Sequence, residues 1–250
     1  MGRTLSAKEI ETITNSFYSN FTGVNPLEVT KGIHFVRSEA RDREVKGFGC
    51  KYAVYILVKE DVCIVSYAPQ YAWFLNALNG CSMDEILSAV NSTYRLKEMQ
   101  LMIFRGERVS EFGNARILKK SDYPLYEEFF RKANPAADPT GWLEDYFTEK
   151  ATKEYFAGYL LNGALVSVSD APDMPYMENV IQHTGIETLQ EERGKGYAKC
   201  TSALATHHLL ERGICPQWEC RADNAASIAL AQSIGYEKYG KAYIYEVHDF

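Results

Sequence analysis

The chain holds 250 residues, 46% of them apolar and 24% charged, with a formal net charge of -6 at pH 7. This composition excludes a disordered or fibrous chain and is ample for one large core or two smaller ones. The acidic balance argues against nucleic acid or an acidic membrane surface as partner, since both call for a basic field. No run approaches the roughly 20 apolar residues that span a bilayer.

Residues 5–22 carry Ile10, Ile13, Phe17 and Phe21 at helical spacing, with Ser6 and Glu9 placed for a capping box. Met1-Gly2-Arg3-Thr4-Leu5-Ser6 fits the loose N-myristoylation pattern without a second anchoring signal, so no membrane attachment is expected. No apolar leader pattern opens the sequence, and the expected location is the cytoplasm. Residues 33–48 read as a strand and a loop. Tyr52 to Lys59 and Val62 to Tyr67 read as a hairpin turning at Glu60-Asp61. Pro69 to Asn79 and Met83 to Thr93 predict helices, the second capped by Ser82 with Glu85, and Gln100 to Phe104 a short strand. The aromatics Tyr52, Tyr55, Tyr67, Tyr71, Trp73 and Phe74 are core residues by default, and some are candidates to line a cleft facing the second half.

Arg105-Gly106-Glu107-Arg108 and Glu111-Phe112-Gly113-Asn114 break the apolar pattern. A domain boundary is expected there, giving an N-terminal α/β domain over 1–112 and a second domain over 113–250. The second domain reads as strand 115–119, helices Asp122 to Lys132 and Trp142 to Glu149, and strands Tyr155 to Leu161 and Ala164 to Ser169. The last two are joined by Asn162-Gly163, the strongest hairpin signal in the chain. Val180 to Leu189 reads as one strand, Tyr197 to Arg212 as a helix ending at Gly213, and Gln217 to Cys220 as a strand. Ala225 to Ser233 reads as a helix, and Tyr243 to Val247 as the final strand.

The informative stretch is Ile186 to Ala198. A strand runs into a charged turn, and Gly194 and Gly196 stand just ahead of the helix starting at Tyr197. Glycine lets the backbone approach a ligand closely, and the unpaired N–H groups of a helix start favour an anion. Arg193 and Lys195 add positive charge at the same place. A dinucleotide site needs a third glycine early in a βαβ unit, and a phosphate loop needs Gly-x-x-x-x-Gly-Lys-Ser/Thr; neither is present.

Arg193-Gly194-Lys195-Gly196-Tyr197-Ala198 resembles the Gln/Arg-x-x-Gly-x-Gly/Ala signature of the GCN5-related N-acetyltransferases, abbreviated GNAT. Asn224-Ala225-Ala226-Ser227, opening a helix that ends in Gly235-Tyr236, resembles that family's second motif. The resemblance covers roughly residues 113–250. His183 to Thr188, the arginine turn and the extra N-terminal domain resemble the zwittermicin-resistance branch. The resemblance implies an α/β (α+β) fold: a C-terminal GNAT domain with a mixed, splayed central sheet, preceded by a smaller mixed α/β domain. It implies acetyl-CoA as cofactor. The backbone of Gly194, Lys195, Gly196, Tyr197 and Ala198 would hold the pyrophosphate, with Arg193 shaping the loop. The backbone at Thr188 and Leu189 would pair with the pantetheine arm, and Asn224 and Ser227 would face the cofactor.

Acetyl transfer to an amine needs a base for the ammonium proton, polarisation of the thioester carbonyl and, at most, a proton for the departing thiolate. Glu187 is the first candidate base; the same carboxylate can equally bind the substrate amine or serve structure. His183 is the second. Alternation places His183, Gly185 and Glu187 on one strand face. By resemblance, Ala231 stands where many family members carry an acid tyrosine, and alanine has no proton to give. Tyr243 and Tyr245 are candidate walls of the acceptor cleft. Arg221 and Asp223 can contact ligand or pair with each other. None of the six cysteines forms a Cys-x-x-Cys pair, so buried thiols and no metal are expected.

The expected function is transfer of an acetyl group to the primary amine of a small molecule, directly within a ternary complex. The acidic surface and the branch resemblance tilt the acceptor toward a cationic antibiotic, amino sugar or polyamine. The alternatives are a protein or peptide N-acetyltransferase, or a non-catalytic CoA-binding regulatory module. A homodimer is the default assembly for such an enzyme.

Overall fold

The computed structural model describes residues 4–106 and 112–248. The acylation pattern at Met1-Gly2-Arg3 and the boundary signals at Glu107, Arg108 and Glu111 therefore lie outside the described residues.

Helix α1 (Ala7–Thr22) opens the fold, and Ser6 and Glu9 cap it reciprocally as the sequence predicts. Strands β1 (Gly32–Arg37), β2 (Glu44–Val45), β3 (Cys50–Lys59) and β4 (Val62–Tyr67) follow. The helix expected over 69–79 splits into two short 3-10 turns around α2 (Ala72–Leu75). Only Leu75 of α2 is buried, so little packing supports a longer regular helix there. Helix α3 (Met83–Tyr94), capped by Ser82 and Glu85, leads into β5 (Lys97–Phe104).

Beyond residue 112 come β6 (Ala115–Ile117), α4 (Tyr123–Ala133), α5 (Leu143–Thr152) and the hairpin of β7 (Ala157–Leu161) and β8 (Ala164–Ser169). Asn162 (φ 51) and Gly163 (φ 85) both take the positive φ that a tight hairpin turn requires. Next are β9 (Ile181–His183), β10 (Glu187–Thr188), α6 (Tyr197–Glu211), β11 (Cys215–Arg221), α7 (Ala225–Ser233) and β12 (Tyr236–Val247).

The strands form two sheets. The larger runs β1-β4-β3-β12-β5-β11-β9, with β2 beside β3; the smaller runs β10-β8-β7-β6. Residues from both sides of 112 share the larger sheet, because β12 lies antiparallel to both β3 and β5, and β5 lies antiparallel to β11. The final strand spans Tyr236–Val247 rather than Tyr243 to Val247. Its first half carries Glu237, Lys238 and Lys241, which hide it from an apolar-run reading, but ladders on both flanks hold it. The interior of β3 is apolar on both faces and buried on both. Tyr55 and Leu57 pack in the cluster of α1, while Val54 and Ile56 pack with Ile86 and Val90 of α3.

Two irregularities position the site. Between β12 and β3 the register shifts from Tyr245 opposite Val54 to Glu246 opposite Tyr52, leaving Ala53 as an extra residue. This bulge brings Tyr52 and Tyr55, three apart in sequence, onto the same side. The second irregularity is in the strand expected over 180–189. It breaks at Thr184, Gly185 and Ile186, so β9 runs parallel to β11 in the large sheet and β10 antiparallel to β8 in the small one. The Gly185 N–H donates to the Asp170 carbonyl at 3.1 Å. A Cβ on Gly185 would lie 1.9 Å from Asp170 Oδ1, so the crossing is built on that glycine. The two sheets splay apart at this break.

Gly106 and Gly235 are in direct backbone contact. The Arg105 N–H donates to the Gly235 carbonyl at 2.9 Å, and a Cβ on Gly106 would lie 2.6 Å from the Gly235 Cα. Gly106→Ala is expected to cost about 1–3 kcal/mol, lowering Tm by roughly 2–4 °C per kcal/mol, as read by thermal unfolding.

Candidate functional site

The break at residues 184–186 separates two concavities. The first is a cleft of about 810 Å³ at the start of α6. Gly196 (φ 86) is the N-cap residue of α6, and no side chain caps it, so the first N–H groups of the helix are left for a ligand. Gly194 has φ 76, and a Cβ on either glycine would meet no protein atom within 4 Å, so the space above this turn is open. Arg193, Tyr197 and Ala198 line the same cleft, and Tyr197 is stacked on Tyr159 at 4.5 Å. Arg193 Nε donates to the Thr188 carbonyl at 3.1 Å, tying the turn back to β10.

Asn224 and Ser227 form the opposite wall. Asn224 Oδ1 accepts from the Ser227 N–H at 3.1 Å as the N-cap of α7, and the Ser227 hydroxyl accepts from Trp218 Nε1 at 3.0 Å. Lys195 and Leu189 stand apart from the cleft lining. Lys195 is paired with Glu192 at 2.9 Å, while Leu189 is buried in the core beneath the small sheet and its N–H donates to Val166. Arg221 and Asp223 pair with each other at 3.0 Å on the surface.

Glu187 also lines this cleft, where Asn134 Nδ2 donates to its Oε2 at 3.1 Å. Beside it is Asp170, whose carboxyl is pushed above the usual carboxylate range by burial and then by the charge of Glu187. A raised folded-state value means that the native state holds the Asp170 proton after the unfolded chain has released it. Stability therefore falls as pH rises above the ordinary aspartate range. Asp170→Asn, which removes that penalty, is expected to gain Tm relative to the parent at pH 8 and to gain much less at pH 4.

The second concavity is a cavity of about 170 Å³ between α1 and the large sheet. Residues on both sides of 112 wall it: Phe17 and Phe21 from α1, Tyr52 and Tyr55 from β3, and Met174, His183 and Glu219 from the second half. Phe48 and the 172–175 loop also border it, and Gly47 (φ 82) abuts Asp173, where a Cβ would come within 2.9 Å. On β11 the side chains alternate. Gln217 and Glu219 face Tyr18 of α1, whereas Trp218 faces Ser227 of α7. The sheet thus separates cleft from cavity, except where the strands splay.

Glu219 was not a candidate on sequence grounds. Its Oε1 accepts from the Tyr18 hydroxyl at 2.8 Å and from Gln217 Nε2 at 2.9 Å, and its Oε2 lies 3.9 Å from His183 Nε2. The available signal was Gln217 and Glu219, two polar residues alternating with Pro216, Trp218 and Cys220. His183 and Glu187 do not share a cavity. The break sends His183 to the cavity under α1 and Glu187 to the cleft, at most about 14 Å of chain apart. Tyr243 and Tyr245 pack with the α3 cluster, while Ile244 between them lines the cavity, so those two tyrosines face away from it. Ala231 and Tyr236 are buried in the core.

The six cysteines are free, and burial pushes the Cys63 thiol up to about 11 and the Cys215 thiol up to about 12. Neither is a thiolate near neutral pH. Among the described residues, no group of three metal-binding side chains is placed to hold an ion, and no helix is long and apolar enough to cross a membrane.

The sequence model of the GNAT acetyltransferase family matches residues 145–245. The uncharacterized N-acetyltransferase YdfB of Bacillus subtilis strain 168 is 40% identical over 60 residues, which are 24% of this chain and 23% of that protein. A GNAT-family acetyltransferase from Colwellia psychrerythraea superposes with a TM-score of 0.52 at 16% identity, over 60% of this chain and 56% of the other. A GCN5-related N-acetyltransferase from Sphaerobacter thermophilus superposes with a TM-score of 0.47 at 14% identity, over 67% of this chain and 57% of the other. The chain thus spans about a quarter of the curated relative and just over half of these structures. The fold is a GNAT-like mixed α/β acetyltransferase fold with a splayed central sheet. Nothing in these matches points to the zwittermicin-resistance branch.

Proposed function

We propose that this chain of GNAT-like fold is an acetyl-CoA-dependent N-acetyltransferase acting on the primary amine of a small molecule, by direct transfer in a ternary complex. One observation carries the reading: two differently built sites flank a single strand break. An uncapped helix start with a glycine turn lies on one side, and an aromatic cavity holding an imidazole and a carboxylate lies on the other. The open space over Gly194 and Gly196, with Arg193 beside them, fits a pyrophosphate.

Acetyl-CoA, when bound, supplies the activated acetyl group as a thioester. The N–H groups at the start of α6 and Arg193 hold the anionic end. Thr188 lines the cleft beneath the arm, and Asn224 and Ser227 shape its far wall. On the other side of the sheet, Glu219 attracts the ammonium and His183 takes its proton, leaving the amine lone pair free. Ion-pair distance between Oε2 and Nε2 lets Glu219 stabilise the imidazolium that forms. No protein nucleophile is needed, which agrees with the raised, buried Cys63 and Cys215 thiols. Glu187 is the second reading for the base, favoured by its place at the start of β10 beside the Asp170 carboxyl.

Ala231, fully buried, supports one further alternative: a CoA-binding module without turnover, since that position supplies no acid. Release of CoA thiol from acetyl-CoA, measured across a panel of primary amines, separates the two. Amine-dependent release supports the enzyme; tight CoA binding with no release on any amine supports the module.

A further inference from the structure

The geometry points to a compact, mainly apolar primary amine, of the size of benzylamine, as the occupant of the cavity under α1. This rests on the N-acetyltransferase reading and narrows its acceptor class.

Size is the first argument. At about 170 Å³ the cavity is close to the roughly 150 Å³ engineered protein cavity that takes up benzene. One ring and a short arm match that volume; a second sugar ring exceeds it.

The walls are the second argument. Phe21 stacks on Tyr55 at 4.9 Å and on Tyr52 at 5.8 Å, so three rings form one aromatic surface. Such a wall favours an apolar body and, through its π-faces, a cation. A hydroxyl-rich amine would leave several polar groups desolvated without partners there, at a cost for each.

Charge is the third. Besides Tyr52 and Tyr55, four of the fourteen lining residues carry acidic or basic side chains: Lys97, Asp173, His183 and Glu219. Lys97 is paired with Glu246 at 3.0 Å, and Asp173 is paired with the buried Lys150. Among the described residues, Glu219 Oε2 has no hydrogen-bond donor and only the imidazole at 3.9 Å, so it is left to receive an ammonium. One such carboxylate suits a single positive charge. A polyamine would bring a second cation with no acceptor, and an amino acid would bring a carboxylate with no unpaired cation among the lining residues.

The test is calorimetric titration of benzylamine, glucosamine and spermidine into the protein saturated with CoA, alongside thiol release from acetyl-CoA with the same amines. Benzylamine is expected to bind at least tenfold more tightly than the other two. Tyr52→Leu and Glu219→Gln are each expected to weaken it at least tenfold while CoA binding, the folding control, is unchanged. Tighter binding of glucosamine or spermidine overturns the inference, as does benzylamine binding that ignores both substitutions. Benzylamine binding that depends on both residues but gives no thiol release upholds the cavity assignment and overturns the acetyl-transfer reading instead.

Discussion

His183→Gln is expected to lower kcat for amine acetylation by roughly 10²- to 10⁴-fold, the usual contribution of a positioned base, with a much smaller change in KM. Glutamine keeps a polar group at the end of β9 and disturbs little packing, because the His183 side chain is partly exposed at the cavity wall. Two further readouts separate a proton acceptor from a structural residue. The variant should keep the parent's thermal unfolding midpoint within a few degrees, and its CoA affinity should match the parent. Glu219→Gln should lower kcat less steeply and raise KM for the amine, since Glu219 both attracts the ammonium and supports the imidazolium. Glu187→Gln should change kcat less than tenfold. If instead Glu187→Gln abolishes turnover and His183→Gln does not, the base lies on the cofactor side and the second reading stands.

Gly196→Val is the second large effect. At φ 86 a β-branched residue is strained, and the left-handed conformation alone costs roughly 1–2 kcal/mol. The added Cβ would meet no protein atom within 4 Å, so the fold should survive with a modest fall in Tm. It would, however, stand over the uncapped start of α6, where the anion is held. CoA affinity is therefore expected to fall at least 100-fold by calorimetry. Gly213→Val, at another positive-φ glycine beyond the far end of α6, serves as the control: it carries comparable strain (φ 72) and should leave CoA affinity near that of the parent.

Local chemistry made much of this legible in the sequence. The reciprocal caps at Ser6 with Glu9 and Ser82 with Glu85 and the Asn162-Gly163 turn are all short-range devices, and all occur where expected. The glycine turn before Tyr197 belongs with them. What was hidden depends on partners far away in the chain. Thr184, Gly185 and Ile186 look like ordinary strand; only Asp170, packed against Gly185, reveals the crossing between sheets. Consequently His183 and Glu187, on one face by alternation, lie in different concavities. Glu219 became visible only once Tyr18, 201 positions earlier, was found against it. The aromatic wall likewise needs the Ala53 bulge, which a uniform period of two does not foresee.

The central claim is that the cleft at α6 and the cavity under α1 serve one reaction across the strand break. Its most direct measurement is release of CoA thiol from acetyl-CoA by the unmodified protein, with and without a primary amine, and with the acetylated amine quantified in the same samples. The account predicts amine-dependent release, one acetylated amine per thiol. CoA binding with no amine-dependent release, or release with no acetylated amine formed, would contradict it.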